Sequence, residues 1–207
     1  MNENRHKLFI ISSPSGGGKT SLLKSLFEDS RANSLWMSVS HTTRKKRKGD
    51  QEGKDYYFIG VEEFKTKVKK GDFIEYAQVF ENYYGTDKET IFSRLEKSNV
   101  FLEIDWQGAE IIKKIFPKSL SIFLLPPSYE DLRKRLNNRD LDSEEIITKR
   151  LSEAKKEISK CMDFDFLILN DEFTKALSEL KKIVFENIDS RKFNSRVSSE
   201  LLKNLLD

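Results

Sequence analysis

Two patterns of apolar and polar positions alternate along the chain: continuous apolar runs, and stretches with the period of a helix. Continuous apolar runs predict four buried strands, at residues 8–11, 100–104, 121–125 and 166–169. The first, second and fourth runs lead into stretches with an apolar residue every three or four positions, as in a helix with one buried face. The third stops at Pro126, because proline cannot donate a hydrogen bond to a β-ladder. This alternation predicts an α/β fold with a mainly parallel sheet.

Two regions depart from this rhythm. Residues 39–86 are rich in Gly, Tyr, Phe and charge, and alternating segments at 56–59 and 73–76 predict a small, partly antiparallel lobe inserted between strands of the main sheet. Residues 129–160 are helical and highly charged with a narrow apolar stripe, which makes them a candidate mobile lid. We therefore expect a single domain whose core consists of residues 1–38, 87–128 and 161–207.

The balance of charges narrows the classes of function. The chain has 207 residues with 37 Lys and Arg against 34 Asp and Glu, and this net charge of +3 excludes a histone-like polycation. One Cys and two His exclude a disulfide framework and an ordinary Cys/His zinc site. No apolar stretch approaches the ~20 residues that span a bilayer. We expect a soluble, cytoplasmic protein with no membrane partner.

A glycine-rich segment joins the first apolar run to the first helical pattern. Residues 13–20, Ser-Pro-Ser-Gly-Gly-Gly-Lys-Thr, fit the phosphate-loop pattern G-x-x-x-x-G-K-[ST], with Ser13 in the place of the first glycine. Consecutive glycines let main-chain amides approach a polyphosphate, and the following helix directs the positive end of its dipole at the same anion. A flexible turn with a chance Gly-Lys-Thr is the alternative, and the flanking strand and helix patterns argue against it.

The phosphate-loop pattern also assigns roles to individual residues. Lys19 is expected to reach the β- and γ-phosphates of a nucleoside triphosphate, and the Thr20 hydroxyl to join Mg²⁺ coordination. We expect the contacts with the triphosphate to come from the loop and the residue after it, which are Ser13, Pro14, Ser15, Gly16, Gly17, Gly18, Lys19, Thr20 and Ser21.

Two acidic residues end the second apolar run. A phosphate loop needs an acidic partner at the end of a neighbouring strand. Glu103 and Asp105 are two positions apart, so they project to the same side of an ideal strand. Asp105 lies at the carboxyl edge, where open α/β sheets bind their ligands. A pair of solvated acids is the alternative interpretation.

The densest positive charge lies in residues 44–48, Arg-Lys-Lys-Arg-Lys. Arg44 and Arg47 are three positions apart and could grip one phosphate together, because guanidinium forks match phosphate oxygens. A solvated basic loop and a nucleic-acid patch are the alternatives. The small net charge and the lack of aromatic residues within the run argue against nucleic acid, and the spacing alone leaves the choice between the other two open.

Six further motifs follow the loop along the chain. They are Ser40-His41-Thr42-Thr43-Arg44, Asp55-Tyr56-Tyr57-Phe58, Phe73-Ile74-Glu75, Asn82-Tyr83-Tyr84-Gly85-Thr86, Ile104-Asp105-Trp106-Gln107-Gly108 and Leu125-Pro126-Pro127-Ser128. With the loop, they resemble guanylate kinases of the bacterial type, from about residue 8 to residue 187. The resemblance implies a three-layer phosphate-loop core with a GMP-binding lobe and a helical lid. It also implies transfer of the γ-phosphoryl group of ATP to GMP, and to dGMP, with Mg²⁺ as the cofactor.

Matching motifs imply the acceptor site residue by residue. The residues that would hold the phosphate of GMP are Ser40, Arg44, Arg47, Tyr56 and Tyr84. Glu75 and Thr86 would bind the guanine base, with Asp105 close by. The chemistry of the base agrees, because the adjacent N1–H and N2–H₂ donors of guanine suit one carboxylate, which has two acceptor oxygens. Relatives usually carry Asp where Glu103 stands, so the role of Glu103 stays open.

The resemblance also supplies a catalytic set, which consists of Lys19, Arg44, Asp105, Arg135, Arg139 and Arg150. The last three match arginines of the family's lid, which would stabilise the negative charge on the phosphoryl group in transfer. The turn Asn170-Asp171, directly after the last apolar run, would border the adenine of ATP together with Arg135.

Two other functions fit part of the pattern. Domains that resemble guanylate kinases also serve as catalytically inactive protein-interaction modules, typically with a degenerate phosphate loop, whereas Gly18-Lys19-Thr20 is intact here. A phosphate-loop kinase for another small acceptor fits the loop but not Glu75. The sequence leaves open whether the protein is a monomer or a homo-oligomer. It also leaves open whether the C-terminal segment, with Leu201 and Leu205 at helical spacing, packs on its own chain.

Overall fold

The computed structural model describes residues 6–79, 81–137, 144–186, 188 and 197–206. Its β-strands are β1 (Leu8–Ser12), β2 (Leu35–Met37), β3 (His41–Thr42), β4 (Tyr57–Phe58), β5 (Phe73–Val79), β6 (Asn82–Asp87), β7 (Asn99–Glu103), β8 (Leu120–Leu125) and β9 (Phe166–Leu169). Its α-helices are α1 (Lys19–Phe27), α2 (Val61–Lys70), α3 (Lys88–Leu95), α4 (Trp106–Ile115), α5 (Tyr129–Asn137), α6 (Glu144–Ser159), α7 (Phe173–Phe185) and α8 (Ser199–Leu206). In these described ranges, every helix is too short or too polar to cross a bilayer.

The strands form a five-stranded sheet in the order β2-β7-β1-β8-β9 and a four-stranded sheet in the order β4-β3-β6-β5. The pairs β2–β7 and β8–β9 are parallel. In the second sheet β5 and β6 are antiparallel and β3 pairs with β4 in parallel, so this sheet is mixed. The predicted α/β fold, with a mainly parallel sheet and a smaller, partly antiparallel element, is confirmed.

The chain divides into two compact units, and the boundary falls within β1. The first unit consists of Met1–Ile10 and Ser34–Ser119. Aromatic rings fill much of its interior: Phe9 stacks on Phe101 with ring centroids 4.9 Å apart, and Phe64 packs against Phe73 at 4.7 Å. The predicted division into core, inserted lobe and lid stays a prediction.

The second unit consists of Ile11–Asn33 and Leu120–Asp207. Strands β8 and β9 run in register from Ile122 opposite Phe166 to Leu125 opposite Leu169. Helix α8 packs within this same unit, because Leu205 is buried in a cluster with residues that include Phe123, Ile158 and Leu167. The C-terminal helix therefore packs on its own chain, a point that the sequence left open.

Candidate nucleotide-binding sites

The glycines of the loop between β1 and α1 each have a structural reason. Gly16 and Gly18 adopt φ of 85° and 93°, in the left-handed region that other residues rarely occupy. Gly17 has an ordinary φ, but a Cβ there would lie 2.7 Å from the Ser13 hydroxyl and 2.9 Å from the Pro14 carbonyl oxygen. Side chains are thus excluded at all three positions, and the loop brings bare main chain to its surface.

The loop is closed by short-range hydrogen bonds. The Gly17 amide donates to the Pro14 carbonyl at 2.8 Å, and the Ser13 hydroxyl donates to the same oxygen at 3.1 Å. Ser13 is buried in this role, which explains how the loop accommodates a serine in place of its first glycine. Lys19 Nζ lies 3.4 Å from the Ser13 carbonyl oxygen, so the ammonium group is held over the loop.

Helix α1 begins directly after the loop, with Gly18 as its N-cap. Gly18 has no side chain to accept from the first amides, and the first turn carries no acidic residue. The unpaired amides and the positive end of the helix dipole are therefore available to an anionic ligand.

Asn170, the residue after β9, connects three parts of the second unit. Its side-chain Nδ2 donates to the Gly17 carbonyl at 2.7 Å, and its main-chain amide donates to the Leu125 carbonyl at 2.8 Å. Arg135 on α5 donates to the Asn170 carbonyl at 2.8 Å. The end of the sheet, the loop and α5 thus meet at one residue.

A pocket of about 380 Å³ opens beside this contact, and its lining residues are Gly16, Gly18, Ser21, Arg135, Asn170, Asp171 and Phe173. Its volume is within the range of ordinary small-molecule sites. Five of the predicted ATP contacts line it, together with Asp171 of the predicted adenine-binding turn, whereas Phe173 was not predicted. Phe173 is 42% exposed, and its position directly after the Asn170 turn is the one sequence signal that could have indicated it.

Two of the three arginines predicted to belong to the lid lie among the described residues. Arg135 is half-buried at the pocket, and Arg150 is half-buried on α6. Helices α5 and α6 share a small apolar cluster of Leu132, Leu136 and Ala154. Leu132 and Leu136 also cover the loop, because a Cβ on Gly16 would lie 3.2 Å from each of them. The third predicted arginine, Arg139, lies outside the described residues.

A second group of predicted residues comes together in the first unit. Glu75 on β5 and Thr86 on β6 lie opposite each other in the antiparallel register, and the Thr86 hydroxyl donates to Glu75 Oε1. The Ser40 hydroxyl lies 3.5 Å from that of Thr86. Burial raises the pKa of Glu75 to about 7, with a further increase from the charge of Asp105, while the Thr86 hydrogen bonds lower it. A carboxyl group that is 4% exposed and has a raised pKa is typical of a ligand site.

Arg44 is held in a fixed orientation in the same unit. Its guanidinium forms an ion pair with Asp50 at 2.9 Å and donates to the Lys45 carbonyl at 3.0 Å. It also lies 5.3 Å from the Tyr56 ring centroid, and Tyr56 packs edge-on against Tyr84 at 5.7 Å. No role was predicted for Asp50, although a carboxylate three residues after Arg47 is a suitable partner for these basic residues.

Arg47 and Glu103 also lie in the first unit, with different surroundings. The Arg47 amide donates to Asp50 at 2.7 Å, while Arg47 itself is exposed. Burial, followed by the charge of Glu103, raises the pKa of the Tyr56 hydroxyl well above its usual range. Tyr56 therefore stays protonated and can donate to an anionic ligand.

Asp105 lies beyond the end of β7 and not on the strand. It is the N-cap of α4, where its Oδ1 accepts from the Gly108 amide at 2.9 Å and its Oδ2 accepts from the Gln107 side chain at 3.0 Å. Because Asp105 is not part of β7, the side-chain alternation of an ideal strand does not apply to the pair of Glu103 and Asp105. The cap holds the Asp105 carboxylate near Glu75, as the electrostatic effect on Glu75 shows.

The described residues suit a magnesium ion that would be bound mainly through nucleotide phosphates and not by a cluster of protein ligands. Among the described residues, no group of three or more His, Cys, Asp or Glu side chains could hold a metal by itself. Mg²⁺ usually keeps several waters and takes one or two protein oxygens together with substrate phosphates. The Thr20 hydroxyl, exposed at the start of α1, fits such a role.

Known proteins resemble this chain over most of its length. The family model described as guanylate kinase matches residues 5–187. A guanylate kinase of Pseudoalteromonas translucida is 46% identical over 207 residues, which is 100% of both chains. One of Vibrio parahaemolyticus is 51% identical over 178 residues, 86% of each chain. The crystal structure of guanylate kinase from Anaplasma phagocytophilum superposes with a TM-score of 0.74 at 35% identity, covering 88% of this chain and 86% of that one. On this evidence, the chain belongs to the guanylate kinase family.

Proposed function

We propose that this protein is a guanylate kinase that catalyses ATP + GMP ⇌ ADP + GDP, and that it also accepts dGMP. The observation that carries the proposal is the buried pair of Glu75 and Thr86. Membership of the guanylate kinase family and the intact phosphate loop support the same reaction. Use of dGMP follows because the proposed contacts are made to the base and the phosphate.

The Glu75–Thr86 pair offers the groups that guanine requires. The carboxylate would accept from the N1–H and N2–H₂ of guanine, and the Thr86 hydroxyl would turn from Glu75 to donate to the O6 acceptor. Adenine has no such pair of donors, so the buried carboxylate would be left unpaired. Sites built on buried hydrogen bonds reject analogues that lack them by about 10⁴–10⁵-fold.

The monophosphate of GMP would be bound by groups near this pair. Arg44 presents a fork-shaped donor that is already oriented by Asp50 and Tyr56. The hydroxyls of Tyr56 and Tyr84 can donate to the phosphate, and the exposed Arg47 adds a second positive charge. Orientation before binding reduces the conformational entropy that the Arg44 side chain loses when the ligand binds, which favours affinity.

The triphosphate of ATP would be bound by the loop amides, the α1 N-terminus and Lys19, with the base in the pocket between Arg135, Asn170 and Phe173. Mg²⁺, with the Thr20 hydroxyl among its ligands, would neutralise charge on the β- and γ-phosphates. Transfer is direct and in line, so positioning and charge stabilisation by Lys19 and the three lid arginines of the predicted catalytic set supply the catalysis. Asp105, near Glu75, would help to position the acceptor.

The alternative of a catalytically inactive interaction module has less support. Gly16 and Gly18 keep the left-handed backbone of the loop, Lys19 is held over it and a pocket is open beside it. These features have a direct use in binding a triphosphate. Calorimetry that detects no ATP binding would favour the module.

A coupled assay of ADP release with GMP, AMP, UMP and dTMP tests the proposal. We expect kcat/KM for GMP to exceed that for AMP by about 10⁴-fold. Glu75→Gln, which keeps the size of the side chain but replaces one acceptor by a donor, should reduce this preference. Glu89→Gln, at an exposed position of α3 in the same unit, is the matched control and should leave it unchanged. Equal rates with AMP and GMP would refute the proposed role of Glu75.

A further inference from the structure

Gly108, in the first turn of α4, is not explained by its backbone conformation. The described glycines with positive φ do not include it, so any L-residue could adopt its conformation. Glycine destabilises a helix relative to alanine. A different requirement must therefore account for the missing side chain at this position.

The space beside Gly108 is occupied by the carboxyl group of Glu75. A Cβ on Gly108 would lie 2.6 Å from Glu75 Oε2 and 3.2 Å from Glu75 Cδ. The first distance is shorter than real Cβ contacts, so an alanine at position 108 would force the carboxyl group to move. Ile104 Cδ1, at 3.2 Å, closes the space from another side.

Glu75 has little freedom to yield without losing its orientation. Its Oε1 accepts from Thr86, it is 4% exposed, and Asp105 lies near enough to affect its charge. The Gly108 amide is fixed as well, because it donates to the Asp105 cap at 2.9 Å. The main chain of α4 at Gly108 thus lies directly against Glu75 Oε2. The Asp105 cap holds this first turn of the helix in place.

We propose that Gly108 is a specificity-determining positioning residue, whose missing side chain sets the orientation in which Glu75 meets the guanine base. This inference rests on the proposed function, because it deepens the role given there to Glu75. Gly108 itself touches no reacting atom. The close approach is not a general feature of helix packing, since the nearest atoms are those of the carboxyl group and not of the β5 main chain.

Gly108→Ala tests the proposal, with Gly60→Ala as the matched control. Gly60 lies in the same unit with φ of −71°, and a Cβ there would meet nothing within 4 Å. We expect Gly108→Ala to raise the Kd for GMP at least about fivefold, as for a misplaced buried hydrogen-bonding group, and to leave the KM for ATP within about twofold. Gly60→Ala should change neither constant. A smaller rise in the Kd for GMP, or an equal rise in the KM for ATP, overturns the proposal.

A double-mutant cycle with Glu75→Ala shows whether the effect passes through the carboxyl group. Removing that group removes the clash, so Gly108→Ala should change the Kd for GMP by less than about twofold in this background. The same factor in both backgrounds overturns the proposal. If Gly108→Ala alone does not fold, the double variant must recover folding, and an unfolded double variant also overturns it.

The same cycle separates this inference from the proposed function. If Glu75→Ala leaves the Kd for GMP unchanged, the proposed reading of guanine by Glu75 fails, and the inference fails with it. If Glu75→Ala weakens GMP binding while Gly108→Ala does not, the proposed function stands and only the inference about Gly108 fails.

Discussion

The side-chain amide of Asn170 donates to the main-chain carbonyl of Gly17 at 2.7 Å, across a separation of 153 residues. This hydrogen bond is buried and ends on the central glycine of the phosphate loop. A Cβ on the next residue, Gly18, would clash with the same amide nitrogen. The conformation of the loop therefore depends on a residue at the far end of the sheet.

Asn170→Asp is expected to weaken ATP binding more than Asn170→Ala does. Alanine leaves the Gly17 carbonyl without its donor, a loss of about 1–3 kcal/mol for a buried group, which corresponds to roughly tenfold in the KM for ATP. Aspartate cannot donate to a carbonyl and adds negative charge beside the loop. Steady-state kinetics with varied ATP give the KM of both Asn170 variants. Asn33→Ala, at an exposed position, is the control. An aspartate variant with the parental KM would contradict the role of this hydrogen bond.

Lys19→Ala is expected to reduce turnover severely while GMP still binds. The ammonium group at the loop would stabilise charge on the β- and γ-phosphates, and removing one such group costs about 10²–10³-fold in kcat. The Kd for GMP should stay within about twofold by calorimetry, because the proposed GMP contacts lie on other elements. The matched control is Lys24→Ala, exposed on the last turn of α1. Loss of GMP binding in Lys19→Ala would contradict the separate assignment of the two ligands.

GMP binding is expected to strengthen as the pH rises towards neutrality. The pKa of Glu75 is raised to about 7 by burial, so below that pH the free protein carries a neutral carboxyl group there. Guanine needs the ionised form, and its affinity should fall by about tenfold per pH unit below pH 7. Glu75→Gln in the same series should remove this slope and leave the contribution from the phosphate of GMP. Equal slopes for the parent and the variant would contradict the prediction.

The same titration has the opposite effect on the stability of the free protein. Between about pH 4.5 and 7, the folded chain keeps a proton on Glu75 that the unfolded chain has lost. The contribution of this group to the free energy of unfolding therefore decreases as the pH rises through that window. Thermal melts of the parent and of Glu75→Gln should show a smaller decrease for the variant, and identical pH dependence would contradict the raised pKa.

Arg44→Lys is expected to raise the KM for GMP about tenfold or more, although the charge is kept. The planar guanidinium of Arg44 can donate to Asp50 and to a phosphate oxygen at the same time, whereas the compact ammonium group of lysine lacks this geometry. Lysine also stacks less well on Tyr56. Arg31→Lys is a control, since Arg31 lies in the other unit, paired with Asp29 and placed over Phe185. Kinetics with varied GMP give the answer, and an unchanged KM would remove Arg44 from the phosphate site.

Much of the fold was predictable because long apolar runs have few alternatives. The runs at 8–11, 100–104, 121–125 and 166–169 became β1, β7, β8 and β9. The strand β2 was not predicted, because Leu35–Met37 is short and only half-buried. Its pairing with β7 depends on contacts far along the chain, and a three-residue segment carries no period of its own.

The candidate site was predictable where a motif fixes the chemistry. The glycine-rich loop joins β1 to α1 as its motif indicates, and Glu75 lies beside Thr86, while their roles as ligands stay predictions. The partners that orient these groups were not predictable. Asn170 reaches Gly17, and Gly108 makes room for Glu75, only through tertiary packing that joins distant segments.

The most direct test of the account is a crystal structure of this protein with GMP bound. Both carboxylate oxygens of Glu75 should lie at about 2.7–3.0 Å from N1 and N2 of guanine, the usual range for such hydrogen bonds. The Thr86 hydroxyl should lie near O6, and the phosphate should lie against Arg44. A base bound elsewhere, with the Glu75 carboxyl group turned away from it, would contradict the account.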